Sequence, residues 1–168
     1  MDNTAPTLIL TECLLIYLLP DAAEKILKWC GEFFSGAPFV GALNYEMIEP
    51  FDLFGQTMVN NLRDRGCDLL GIEHCPTLQS QIDRMEACFK AGASEGAEQN
   101  SGEHQENGVQ KTVVECHTMN TVYQGKLDAA ERARIEKIEI FDEFEEWMML
   151  QGHYCLCFGK KFGATAEE

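Results

Sequence analysis

Residues 6–20 read PTLILTECLLIYLLP, and the fold turns on how this run is assigned. From Thr7 to Tyr17 it is apolar on both faces, the pattern of a central strand in a parallel sheet. Pro20 then suits the first turn of a helix, and Asp21 would face that helix's positive end. The run looks superficially like the core of a secretory signal. Yet no lysine or arginine precedes it, Glu12 interrupts it, and no small-residue cleavage site follows. It is also too short to span a bilayer comfortably. The reading is therefore a buried strand followed by a helix.

Working outward, Ile26, Leu27, Cys30, Phe33 and Phe34 recur at helical spacing as one buried stripe, and Gly36 is placed to end that helix. Residues 38–47 (PFVGALNYEM) read as a second buried strand. Phe51, Phe54, Met58 and Leu62 then line one helical face, with Gly66 as its cap. Strand, helix, strand, helix at this spacing predicts parallel pairing through crossovers. Thr77 opens a third helix after Pro76, with Leu78, Ile82, Met85 and Phe89 as its stripe.

The pattern collapses over residues 92–108, GASEGAEQNSGEHQENG, which hold no large apolar side chain. Such a segment buries too little surface to offset chain entropy. It is expected to be a flexible insert within a single domain spanning residues 1–168, because folded signals resume beyond it. Residues 111–117 are β-branched and read as a strand. Asp128 with Glu131, and Asp142 with Glu145, make capping-box patterns that start two helices. The second should turn Phe144, Trp147 and Met148 inward. Residues 154–158 (YCLCF) read as a final strand, joined to that helix by only Gln151 and Gly152.

The chain has 168 residues and a net charge of -15, from 28 acidic and 13 basic residues. Its length suffices for one domain with a real core. A surface this acidic repels phosphate backbones and anionic membranes, which argues against nucleic-acid and membrane partners. The eight cysteines are scattered along apolar runs without a C-x-x-C pair. That pattern predicts free thiols in a reducing compartment, the cytoplasm, rather than a disulfide framework.

Candidate chemistry concentrates on Glu12. A carboxylate within an apolar run is costly unless paired or close to a strand end, and open α/β sheets bind ligands at the carboxyl ends of their strands. Either Glu12 contacts a ligand, with Tyr17 offering a hydroxyl nearby, or both are structural. Asn44, Tyr45 and Glu46 end the second strand and could line the same crevice, or simply mark where the strand stops. His153, Cys155 and Cys157 would share one face of the last strand. With the Glu73-His74-Cys75 and Glu115-Cys116-His117 triplets they could in principle hold zinc, but the spacing matches no compact zinc module, and no metal is expected. No nucleophile elbow, G-x-G-x-x-G or phosphate loop is present.

The residues in order carry a resemblance. The segment Thr11-Glu12-Cys13-Leu14-Leu15-Ile16-Tyr17-Leu18-Leu19-Pro20 resembles the fourth strand of leucine carboxyl methyltransferases. So do Phe54-Gly55-Gln56, Asn61-Leu62-Arg63, Cys67-Asp68-Leu69, Leu78-Gln79-Ser80-Gln81, Ile135-Glu136, Phe141-Asp142-Glu143 and the closing His153-Tyr154-Cys155-Leu156-Cys157. The likeness covers nearly the whole chain except residues 92–108. It implies the later strands of a doubly wound, Rossmann-like methyltransferase sheet, with the final strand antiparallel.

It also implies methyl transfer from S-adenosylmethionine to the C-terminal leucine carboxylate of the protein phosphatase 2A catalytic subunit. Under the resemblance, Glu12 is the cofactor-binding residue and Tyr17 the catalytic one, near the reacting groups. The family's Gly-rich turn after its first strand, its ribose-holding acidic residue and its N-terminal lysine and arginine have no counterpart here. The resemblance thus implies the C-terminal portion of the enzyme, inactive alone, or a truncated relative that binds the phosphatase without catalysis. An apolar sheet edge left open would favour self-association.

Overall fold

The computed structural model describes residues 1–90, 112–138 and 142–162. Strand β1 (Thr7–Glu12) crosses through helix α1 (Pro20–Phe33) into β2 (Phe39–Met47). Helices α2 (Leu53–Asp64) and α3 (Leu78–Lys90) follow. Beyond them come β3 (Thr112–Thr118), the short α4 (Met119–Thr121), a wide turn at Val122–Lys126, α5 (Ala129–Ile135), α6 (Phe144–Gly152) and β4 (Tyr154–Phe162).

The described strands form one sheet in the order β1-β2-β4-β3. β1 pairs with β2 in parallel, from Thr7 opposite Val40 to Glu12 opposite Tyr45. β4 slots between β2 and β3 and runs antiparallel to both. This is an α/β architecture consistent with the later strands of a doubly wound, methyltransferase-like sheet, and the expected antiparallel final strand is present.

The helix boundaries follow local chemistry. Pro20 occupies the first turn of α1, where its missing N–H costs nothing, and Asp21 lies in the same turn. Gly66 takes φ 76°, and its N–H donates to the Arg63 carbonyl at 2.9 Å. The next amide, Cys67, donates to the Leu62 carbonyl at 2.9 Å, completing a Schellman closure of α2. Before α3, Thr77 and Ser80 cap reciprocally: Ser80 N–H to Thr77 Oγ1 at 3.2 Å, Thr77 N–H to Ser80 Oγ at 2.9 Å. Asp128 accepts from the amides of Ala130 and Glu131 at the start of α5.

The main core lies on one face of the sheet. Val40, Ala42, Cys116, Cys155 and Cys157 pack there against Phe34 of the α1 terminus and against Met85 and Phe89 of α3, with Ile9 beside them. A second cluster, Leu15, Ala23, Leu27 and Cys88, joins α1 to α3. A third, Ile16, Met47, Leu69 and Ile72, closes the carboxyl end of β2 with help from Met58, Val59 and Leu62 of α2.

Several expectations need correction. The strand within residues 6–20 stops at Glu12, and among the described residues β1 is an edge strand, not a central one. Its two-sided apolarity is therefore met on one side only. Ile9 packs inward, while Leu8 and Leu10 stay 57% and 64% exposed. Ile26 lies outside the buried stripe of α1, and Phe51 precedes α2 and is exposed. Asp142 does not cap α6, whose N-cap is Glu143 without a side-chain bond. Trp147 and Met148 are half-buried, but no residue of α6 is fully buried and Phe144 is exposed. This helix packs at the rim, where a long apolar run meets partial cover. The insert at residues 92–108 lies outside the described residues.

Candidate functional site

The carboxyl ends of β1 and β2 form the candidate site. Glu12 is the last residue of β1, exposed, and opposite Tyr45 in the ladder. Cys13 then takes φ 42°, an uncommon left-handed backbone for a residue with a side chain, while its N–H still reaches the Tyr45 carbonyl at 2.8 Å. That twist ends the strand and starts the 3₁₀ turn Leu15–Tyr17. Tyr17 packs beside Tyr154 against the third core cluster. The structure thus brings Glu12 and Tyr17 to one end of the sheet, on either side of a single tight turn.

The neighbours are aromatic. Tyr45 stacks on Tyr154 with ring centroids 5.3 Å apart and planes 11° apart. Burial pushes Tyr45 up to about 12 and raises Tyr17 and Tyr154 as well. Burial also pushes the Cys13 thiol up to about 11. At neutral pH this end of the sheet therefore presents neutral phenols, which donate hydrogen bonds, beside the Glu12 carboxylate.

Asn44, Tyr45 and Glu46 do not line one crevice together. Alternation along β2 sends Tyr45 to the Glu12 side and turns Asn44 and Glu46 into the core, where each is 1% exposed. Asn44 belongs to a buried polar chain that the sequence alone did not single out. Thr11 Oγ1 donates to Asn44 Oδ1 at 2.7 Å, and Asn44 Nδ2 donates to Gln81 Oε1 at 3.3 Å. Arg84 Nη2 donates to the same Gln81 oxygen at 2.6 Å, and Gln81 Nε2 donates to the Cys75 carbonyl at 3.0 Å. One signal was available: Gln81 and Arg84 stand one helical turn apart, interleaved with the apolar stripe of α3.

Glu46 accepts the Ile16 N–H on Oε2 at 3.1 Å, while its other carboxylate oxygen is buried without a hydrogen-bond partner. Burial raises this carboxyl to about 7, against the opposing pull of Arg84 and of the Ile16, Met47 and Leu15 amides.

The remaining polar groups have structural roles. His153 ends α6 and sits between the Met149 carbonyl and the Asp52 carboxylate. Cys155 and Cys157 lie fully buried under α3, and hydrogen bonding with Cys116 together with burial keeps both as thiols. All eight cysteines are free. His74 pairs with Glu24, and His117 with Glu115. Among the described residues, no group of three or more His, Cys, Asp or Glu is arranged to hold a metal ion. Nor is any described helix long and apolar enough to cross a membrane.

Comparison with known proteins agrees with the architecture. No protein-family model matches the chain. The chain is 41% identical over 158 residues to the leucine carboxyl methyltransferase 1 homolog of Arabidopsis thaliana, covering 94% of this chain and 40% of the relative. It is 38% identical over 164 residues to leucine carboxyl methyltransferase 1 of Bos taurus, covering 98% of this chain and 42% of the relative. Over nearly its whole length this chain is similar to leucine carboxyl methyltransferases.

A more distant match is to the human tRNA wybutosine-synthesizing protein 4, at 35% identity over 154 residues, covering 92% of this chain and 19% of that protein. The chain spans about two fifths of the length of the leucine carboxyl methyltransferases it matches. Of the residues on which the resemblance was read, Glu12 and Tyr17 lie around the β1 turn and Tyr154 at the start of β4, at the candidate site.

Proposed function

We propose that this chain forms part of a methyltransferase site that esterifies the C-terminal leucine carboxylate of the protein phosphatase 2A catalytic subunit. The observation that carries the reading is the placement of Glu12. It is an exposed carboxylate at the carboxyl end of a parallel strand, where open α/β sheets receive their ligands. S-adenosylmethionine would supply an electrophilic methyl group there. The acceptor carboxylate is already ionised near neutral pH, so no general base is required. The new O–CH₃ bond forms as the methyl–sulfur bond breaks, with the electron pair leaving on sulfur.

The protein's share of the work is then positioning and exclusion of water. Glu12 is suited to accept hydrogen bonds from the donor's hydroxyls. Tyr17, held as a neutral phenol, is suited to orient the acceptor carboxylate. The eight free thiols fit a cytoplasmic setting. The net charge of -15 weighs against an RNA substrate for this chain.

A second reading is a phosphatase-binding module without catalysis. The apolar surface of Leu8 and Leu10, open beside the site, favours it. One experiment separates the two. The chain is fused behind the preceding portion of the bovine relative and assayed with labelled S-adenosylmethionine and the phosphatase catalytic subunit. Methylation of the phosphatase is expected, abolished by Glu12→Ala and reduced at least tenfold by Tyr17→Phe. A folded chimera that binds the phosphatase without methylating it would favour the module. One that does neither would overturn both readings.

A further inference from the structure

The turn that presents Glu12 and Tyr17 has no cap of its own. Leu14 occupies the N-cap position of Leu15–Tyr17 and offers no side-chain acceptor. Tyr17 N–H returns to the Leu14 carbonyl and Leu18 N–H to the Leu15 carbonyl, which leaves the amides of Leu15 and Ile16 as orphan donors. They are buried, since Leu15 and Ile16 are 0% and 2% exposed, so water cannot satisfy them. The missing acceptor comes from another strand: Glu46 of β2 reaches under the turn and takes the Ile16 N–H at 3.1 Å, with the Leu15 amide also facing its carboxylate. On the far side, the Ile16 carbonyl is held by Gly71 N–H at 2.8 Å. The turn is therefore clamped from both sides, and among the described residues Glu46 supplies the side-chain hydrogen bond of the clamp.

We propose that Glu46 is the positioning residue of the candidate site: by capping the Leu15 and Ile16 amides, it fixes the turn that sets Glu12 and Tyr17 relative to each other. Placing these two residues in the site rests on the functional reading above; the clamp itself does not. A carboxylate in this place is a demanding choice, because a second oxygen is left buried without a partner. The groups facing it are Arg84 from α3, Cys13 and Tyr17 from the segment after β1, Cys75 from the loop before α3, and Cys155 from β4. Arg84 is the cation among them, so the grip on the turn strengthens as Glu46 ionises and weakens as it takes a proton. Burial sets that change near neutral pH.

The test is amide NMR of the 168-residue chain across pH 5 to 9, with Glu46→Gln and Glu46→Ala. In the wild type, the Ile16 amide proton should move downfield with a midpoint near neutral pH. Glu46→Gln should hold the amide protected but abolish the titration. Glu46→Ala should lower hydrogen-exchange protection of Leu15 and Ile16 at least tenfold while Met85 and Phe89 in α3 keep theirs. A purely structural role would instead lower protection in both segments together. An Ile16 amide that does not titrate, or that keeps its protection in Glu46→Ala, overturns the proposal. Failure of donor binding in all these proteins would count against the methyltransferase reading and leave the clamp standing.

Discussion

His153 Nε2 lies 2.9 Å from Asp52 Oδ2, tying the end of α6 to the start of α2 across 101 residues of chain. Asp52 serves both ends of that link. Its Oδ1 accepts the Gly55 N–H at 2.7 Å as the N-cap of α2, and Phe54 lies against the imidazole at 4.4 Å between ring centroids. The cap bond and His153 hold the Asp52 carboxyl below its ordinary range. Gly55 is fixed by the same corner, because a β-carbon there would overlap the Glu49 carbonyl oxygen and the Pro50 backbone.

Asp52→Ala should therefore destabilise the chain by about 1–2 kcal/mol, the range for loss of an N-cap. Asp52→Asn should recover most of it, since its side-chain oxygen still accepts the Gly55 amide. Urea denaturation of the two variants checks this. Equal stability of Asp52→Ala and wild type would mean that neither the cap nor the histidine link contributes.

Glu46 gives the pH dependence a definite sign. Its carboxyl stands at about 7 in the folded chain against 4.5 for the unperturbed group, because of burial. Between those values the unfolded chain has released the proton and the folded chain still holds it. Stability from this group is thus full below pH 4.5 and is lost as pH rises through about 7. Asp52 acts in the opposite sense but only at lower pH, since its folded value is depressed below 3.8. Unfolding free energies measured from pH 5 to 8 should fall in the wild type and stay nearly level in Glu46→Gln. Matching slopes in the two proteins would contradict the assignment.

What the sequence disclosed follows the range of the forces involved. Local signals were read well: Pro20 at a helix start, Gly66 at a helix end, the Thr77 cap, and the strand and helix alternation that sets the parallel pair. The antiparallel final strand followed from the family likeness. Burial of particular side chains was harder, because it depends on neighbours distant in sequence. Leu8 and Leu10 have the same chemistry as Ile9, but alternation along β1 sends them to the face opposite the main core. Glu12 and Tyr17 stood out as candidates because a carboxylate in an apolar run is costly and the motif is distinctive. Glu46 looked like a strand-end residue; its role depends on a turn thirty positions away.

The open edge of β1 carries a prediction about association. Leu8 and Leu10 are 57% and 64% exposed on a strand whose outer backbone edge has no partner among the described residues. Edges of this kind recruit further strands unless charge or proline blocks them. The purified chain should show a concentration-dependent increase in mass by light scattering. The double variant Leu8→Lys, Leu10→Lys should remain monomeric over the same range, with an unchanged far-ultraviolet spectrum. A wild type that stays monomeric at high concentration would refute this.

The last prediction concerns the methyl donor. A doubly wound sheet grips such a ligand across the carboxyl ends of several strands, with much of the close approach made at a Gly-rich turn after the first strand. These 168 residues contain no G-x-G-x-x-G segment and contribute Glu12 as the residue assigned to the donor. One hydrogen bond to a charged group is worth about 1.5–3 kcal/mol. Micromolar affinity requires about 8 kcal/mol, so a single carboxylate falls well short even with the neighbouring phenols. Calorimetric titration of the isolated chain with S-adenosylmethionine should give no binding tighter than about millimolar, and the chain alone should leave the phosphatase unmethylated. Micromolar binding that disappears on Glu12→Ala would prove the opposite: this part of the sheet would suffice to hold the donor, and the contribution assigned to the Gly-rich turn would have to be reassigned to Tyr45, Tyr154 and the turn at Leu15–Tyr17.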